Sequence, residues 1–150
     1  MLIRDMAREM SLDLLMRKHV GHLGCAQAGQ PFVVPISFAY HRDHLYSFAT
    51  IGRKVECMRA NPLVCVEVEE ILSRQEWQTV VILGRYEELP DTPELRSTRA
   101  LAHDLLAKAA AWWEPGYAKT LLHGKERPLE PIYFRISIDE LSGHQARPVA

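Results

Sequence analysis

Thr50, Gly52, Arg53 and Lys54 are the residues of this chain best suited to chemistry, and the chemistry is anion binding. They stand within LYSFATIGRKVECMRANPLVCV, where an alternating strand from Leu45 to Ala49 runs into a loop. A short helix follows, then Asn61-Pro62 and a second apolar strand. A hydroxyl, a glycine and two adjacent cations at a strand-to-helix junction suit a dianionic phosphate. Backbone N–H groups at a helix start point outward, the helix dipole favours negative charge, and arginine offers a forked set of donors. The same loop also reads as an ordinary solvated basic turn, so the elements around it must decide.

Other reactive side chains form no comparable group. Cys25, Cys57 and Cys65 are odd in number and lack CxxC spacing, which fits a reducing compartment. Cys25 and Cys65 fall in strand-like runs and are expected in the core, whereas Cys57, in the helix after the basic loop, reads either as a neighbour of a ligand held there or as one more buried hydrophobe. His41 and His44 have His-x-x-His spacing, but they flank Arg42-Asp43 at an apparent hairpin tip and nothing completes a metal-ligand set. No Ser-His-Asp, Cys-His or paired-carboxylate arrangement stands out.

The elements that would position the loop are short and mostly extended. A helix is expected from Ser11, as its cap, to Lys18. Strands follow at Val20 to Ala26 and at Phe32 to Tyr40, with a turn at Ala28-Gly29-Gln30 between them. Pro35 marks the second strand as an edge, a bulge or a ligand-facing break. With the Leu45–Ala49 strand these form an antiparallel meander. Leu63 to Glu69 is a further strand, with Val64, Val66 and Val68 on one face. Trp77 to Leu89 is a long one, with Gly84 as a bulge. Thr92 to Trp113 is helical, Tyr117 to Glu130 irregular, Pro131 to Ile138 the last strand, and His144 to Ala150 a loose tail. About six strands with peripheral helices describe a mainly β, small antiparallel barrel.

Size and charge bound the answer. With 150 residues, 47% hydrophobic and 25% charged, the chain is expected to be one soluble domain, 1–150. A formal net charge of −1 argues against general nucleic-acid binding. No run approaches the ~20 apolar residues of a membrane span. The start, MLIRDMAREM, has no secretory character, so the cytoplasm is the expected compartment.

Four blocks, GQPFVVPISFAY, HLYSFATIGRKVECMRANPLVCVEV, WQTVVILGRYEELP and PIYFRISIDELSGHQA, together resemble the pyridoxamine 5′-phosphate oxidase-like FMN-binding split barrel, in its nitroimidazole-resistance-type branch. The resemblance covers most of the chain in the expected order. It implies a six-stranded antiparallel split β-barrel and a homodimer with FMN in a groove between subunits. It further implies that Arg53 and Lys54 grip the FMN phosphate, with Ala49, Thr50 and Gly52 completing the loop. Val34, Pro35, Ile36 and Ser37 then run beside the isoalloxazine, and Trp77, Gln78 and Thr79 come from the partner chain. Trp77 has a competing role in the dimer core. Trp112-Trp113 read either as a wall over the flavin or as aromatic anchors of a helix end.

The implied activity is that of an FMN-dependent oxidoreductase acting on a small molecule, with NADH or NADPH as a candidate donor. The alternatives are a non-catalytic flavin protein for storage or sensing, or a haem- or deazaflavin-binding barrel, with His19, His22 or His123 as haem ligands. Pyridoxamine phosphate oxidation itself is not expected. The chain ends SGHQARPVA without the family's Arg-x-His motif, and Arg53 stands where several relatives of the branch carry histidine.

Overall fold

The computed structural model describes residues 1–109, 119–122, 125–128 and 130–149. The elements in chain order are β1 (Leu2–Asp5), α1 (Arg8–Arg17), β2 (Val20–Gln27), β3 (Gln30–Ser37), β4 (Ala39–His41), β5 (His44–Ala49) and α2 (Arg53–Ala60). They continue with β6 (Leu63–Ser73), β7 (Glu76–Glu88), α3 (Arg96–Lys108), β8 (Lys119–Leu122), β9 (Lys125–Pro128) and β10 (Ile132–Arg147). Eight strands form one antiparallel sheet in the order β3-β2-β6-β7-β10-β5-β4, with β1 on β10, and β8-β9 form a separate hairpin. The architecture is the expected mainly β split barrel. Its strand count exceeds six because β1 was not foreseen and the second expected strand is two.

That second point corrects the meander. β3 pairs with β2 and β4 pairs with β5, and these pairs stand at opposite edges of the sheet. Only Phe38 separates Ser37 from Ala39, so the sheet must curl until its two edges nearly meet. The chain crosses the gap at Phe38, which is fully buried and whose N–H donates to the His19 carbonyl at 2.9 Å. The split has a local cause: Pro31 and Pro35 remove two donors from β3, leaving it fit for an edge.

Two hairpins close as two-residue turns with positive φ at both central residues, Ala28 (50°) with Gly29 (77°) and Arg42 (45°) with Asp43 (60°). Such mirror-image turns match the right-handed twist of paired strands. The fold also corrects five local expectations. Ser11 is not a cap: α1 starts at Arg8 after Ala7, and Ser11 is buried inside it. The stretch 144–147 is not a tail. β10 continues to Arg147 because β7 pairs with one edge of it and β1 with the other, in register Leu2↔Arg147 to Asp5↔His144. Helix α3 begins at Arg96 rather than Thr92, since the Leu95 N–H bonds the Thr92 carbonyl in a turn. The segment expected to be irregular contains the β8-β9 hairpin. The bulge beside Gly84 lies in the partner strand, between Ile138 and Glu140 of β10.

The main core fills the barrel. Leu23, Ile36, Leu45, Val66, Ile82, Phe134 and Ile136 meet Leu14 and Leu15 of α1 and Val55 and Met58 of α2. Val64, Val66 and Val68 of β6 point inward as their alternation required. A second cluster lies between α3 and the β4-β5-β10 side, where Ala102 and Leu106 pack with Tyr46, Leu89 and Tyr133. Among the described residues no helix is long and apolar enough to cross a membrane.

Candidate functional site

The basic loop sits where β5 ends and α2 begins. Ala49 is still held in the sheet, opposite Ile132 of β10, and Thr50 to Gly52 lead away from it. The helix then forms because Val55, Cys57 and Met58 bury one face against the barrel while Arg53, Glu56 and Arg59 stay outside. Its far end is pinned by Asn61, whose Nδ2 donates to the Ala26 carbonyl at 3.0 Å and whose Oδ1 accepts from the Leu63 N–H at 3.2 Å. Pinning one end fixes the other.

At the start of α2, Gly52 supplies no side-chain cap. The first helical bond runs from the Glu56 N–H to the Gly52 carbonyl at 3.0 Å, so the N–H groups of Arg53, Lys54 and Val55 have no acceptor within the helix. Arg53 lies over the ring of Phe32 on β3, its guanidinium carbon 4.6 Å from the centroid. A stacked guanidinium keeps its in-plane donors directed outward, which suits an oxyanion beside it. Lys54 and Thr50 are half-buried next to it. Outward donors, a fixed cation and a helix N-terminus meet the requirements of a phosphate.

Phe32 also forms part of a groove of about 530 Å³, shared with Val33, Leu63, Cys65, Leu83, Gly84, Asp139 and Glu140. Its surface is mostly carbon. Cys25 opens onto the same groove, but burial, then its hydrogen bond to Cys57 and the neighbouring thiols, push its pKa up to about 12. It is therefore a protonated thiol rather than a nucleophile. Cys57 is buried against it on the inner side of α2. Cys65, expected in the core, is exposed instead, because Val64 and Val66 take the inward positions of β6 and leave Cys65 on the outer face.

The other expected site residues are spread more widely. On β3, Val34 is half-buried and Pro35 exposed, while Ile36 and Ser37 are both 0% exposed. Within one chain neither of those two presents surface to a ligand. Ser37 Oγ is buried with no hydrogen-bond partner, although its carbonyl accepts from Ser47 Oγ at 2.6 Å. Trp77, Gln78 and Thr79 lie at the opposite end of the molecule from the loop: β10 pairs Ile132 with Ala49 and Ala146 with Trp77. That is about 45 Å of strand path at roughly 3.3 Å per residue, so one chain does not bring the two groups into one site.

Among the described residues no cluster of His, Cys, Asp or Glu could hold a metal. His19 faces the Phe38 carbonyl and His22 faces Glu67. Trp112, Trp113 and His123 lie outside the described residues.

The pyridoxamine 5′-phosphate oxidase family model matches residues 7–145. The chain belongs to that family. An uncharacterized protein of Rhizobium meliloti (strain 1021) is 36% identical over 146 residues, 97% of each chain. The solved structure of an FAD-binding protein from Mesorhizobium loti is 39% identical, with a TM-score of 0.81 over 99% of each chain. A proposed 5-nitroimidazole antibiotic resistance protein from Bacteroides thetaiotaomicron shares the fold at 16% identity, with a TM-score of 0.70 over 97% of this chain and 89% of its own. Sequence alone missed Leu63, Cys65 and Leu83, because only the β2-β6-β7 pairing gathers them into a groove.

Proposed function

We propose that this protein is a flavin-dependent oxidoreductase acting on a small molecule, working as a homodimer with the flavin between subunits. The observation that carries the reading is the Arg53–Phe32 stack, which joins an uncapped helix start to an apolar groove. FMN and FAD share the half this arrangement suits, a phosphate beside a flat aromatic system. Similarity to the FAD-binding protein of Mesorhizobium loti lends further support.

When bound, the flavin supplies electron transfer between a nicotinamide-type donor and an electron-poor acceptor. The chain's own part is positional. Arg53, Lys54 and the N–H groups of α2 hold the phosphate, and Phe32, Val33 and Leu83 keep water from the ring system. The dimer is supported by the outer face of the sheet, where Val33 (66% exposed), Leu63 (54%) and Leu83 (46%) form an apolar patch. A second copy covering that patch would also present its own Trp77–Thr79 end, which the same chain cannot deliver to the loop.

The test is the purified protein itself. Absorption bands near ~450 and ~375 nm are expected, since the cofactor's own electronics set them, together with oxidation of NADH or NADPH faster than by free flavin. Bound flavin without turnover would leave a storage or sensing protein and end the enzyme reading. A Soret band, or no flavin uptake at all, would end both. Sedimentation should give a dimer, and a flavin-loaded monomer would contradict the shared site.

A further inference from the structure

Away from the groove, the outer face of the sheet carries a paired imidazole and carboxylate. His144 Nε2 on β10 lies 3.2 Å from Asp5 Oδ1 on β1. The two residues stand directly opposite each other in the β1–β10 ladder, and His144 stands opposite Thr79 in the β10–β7 ladder. Directly opposed residues share a face, so Glu69, Thr79, His144 and Asp5 form one row across β6, β7, β10 and β1. Strand alternation fixes which face this is. Thr79, Val81 and Leu83 alternate along β7 with the fully buried Val80 and Ile82. The row therefore lies on the same outer face as Leu83 of the groove. Gln78 points the other way, where its Oε1 accepts from Arg17 Nη2 at 3.4 Å. Of the segment 77–79, Trp77 and Thr79 are the two that share the face of His144.

The pair does little for the fold. Its side chains are 53% and 90% exposed, and ion pairs so open to solvent add little stability. β1 is held instead by its backbone ladder to β10. What the pair supplies is the arrangement of an acid–base residue, an imidazole with one nitrogen oriented by a carboxylate. Its Nδ1 has no hydrogen-bond partner among the described residues.

We infer that His144 serves the flavin site of the other subunit, holding a proton at Nδ1 against the ring system while Asp5 orients it through Nε2. The inference rests on the flavin-dimer reading above: a copy that brings its Trp77–Thr79 end to its partner's loop brings His144 with it, in the same row. Hydride delivered by a nicotinamide-type donor leaves one extra negative charge at the site. A proton taken from solvent at Nδ1 balances that charge, and Asp5 compensates the imidazolium. His144 is then the group that touches the cofactor, and Asp5 is a positioning residue.

The midpoint potential of the FMN-loaded protein, read against a reference dye, tests this, because a purely structural pair would leave it unmoved. His144→Ala should weaken binding of reduced relative to oxidised FMN about tenfold, the contribution of roughly one charge-assisted hydrogen bond. For a two-electron couple that lowers the potential by ~30 mV. Asp5→Asn should shift it in the same direction by less. The origin in the other subunit is tested with a hybrid dimer of one Arg53→Ala/Lys54→Ala chain and one His144→Ala chain, isolated through two different affinity tags. Its one intact loop faces the intact His144, so its potential should equal that of the unaltered protein. An unmoved potential in His144→Ala, or a hybrid that matches His144→Ala, overturns the inference while the flavin reading stands. If His144→Ala takes up no FMN, uptake by the hybrid supports the assignment and an empty hybrid overturns it. Failure of the unaltered protein to bind flavin removes the flavin reading and this inference together.

Discussion

Replacing Arg53 and Lys54 together by alanine should cost flavin binding a factor of roughly 10² to 10⁴. Each hydrogen bond to a charged group contributes about 1.5–3 kcal/mol, and each ~1.4 kcal/mol is tenfold in affinity. The fold should survive, because α2 is anchored by Val55, Cys57 and Met58 on its buried face and by Asn61 at its end, none of which changes. The Arg53–Phe32 stack is lost, but exposed contacts of this kind contribute only about 0.5–1 kcal/mol. Titration of the flavin-free variant with FMN measures the effect, and circular dichroism checks that the sheet is intact. Arg53→Lys should fall between, since it keeps the charge and loses the planar fork. If the double variant binds FMN as tightly as the unaltered protein, the loop is not the phosphate site.

The loop was legible because all its signals are local. A strand that ends, a glycine, two cations and an amphipathic turn lie within one short run, and Thr50 to Lys54 sit where the run placed them. The inward residues of β6 and the edge character of Pro35 were legible for the same reason. What the sequence withheld depends on pairing between distant strands. Nothing in Phe32–Tyr40 shows that the chain changes edges at Phe38, because a run of apolar residues looks the same whether its two halves share a ladder or flank a gap. Leu2–Asp5 has no alternation and buries no side chain, so β1 exists only through its backbone bonds to β10. The tail assignment failed with it, since 144–147 is ordered by that same pairing. Cys65 and Leu83 are unremarkable in sequence and become groove residues only when β2, β6 and β7 lie side by side. The contacts of α3 with the sheet were hidden in the same way: Arg99 and His103 are ordinary helix-surface residues until Tyr133 is brought beneath them.

Gly84→Ala should destabilise the protein by about 3 kcal/mol or more, the upper part of the range for overpacking a filled site. A Cβ at Gly84 would overlap the Ser137 carbonyl oxygen and lie 2.9 Å from Ile136 Cγ2. The side chain has little room to move, and the carbonyl has less. Ser137 is paired on one side with Arg85 of β7 and on the other with His44 of β5, and the bulge follows immediately. Relief requires β7 and β10 to part, which disturbs the longest ladder in the sheet. For a chain of this size the loss corresponds to a fall in Tm of roughly 6–12 °C, at about 2–4 °C per kcal/mol. Gly29→Ala is the informative comparison. Gly29 has φ of 77° but nothing within 4 Å of its would-be Cβ, so its cost is the backbone conformation alone, about 1–2 kcal/mol. A thermal-denaturation series should therefore rank Gly84→Ala well below Gly29→Ala. If the two melt together near the unaltered protein, β7 and β10 do not approach as closely as the sheet requires. The consequence reaches the site as well, because Leu83 beside Gly84 forms one wall of the groove. Flavin affinity should fall with Gly84→Ala although no phosphate contact has been touched.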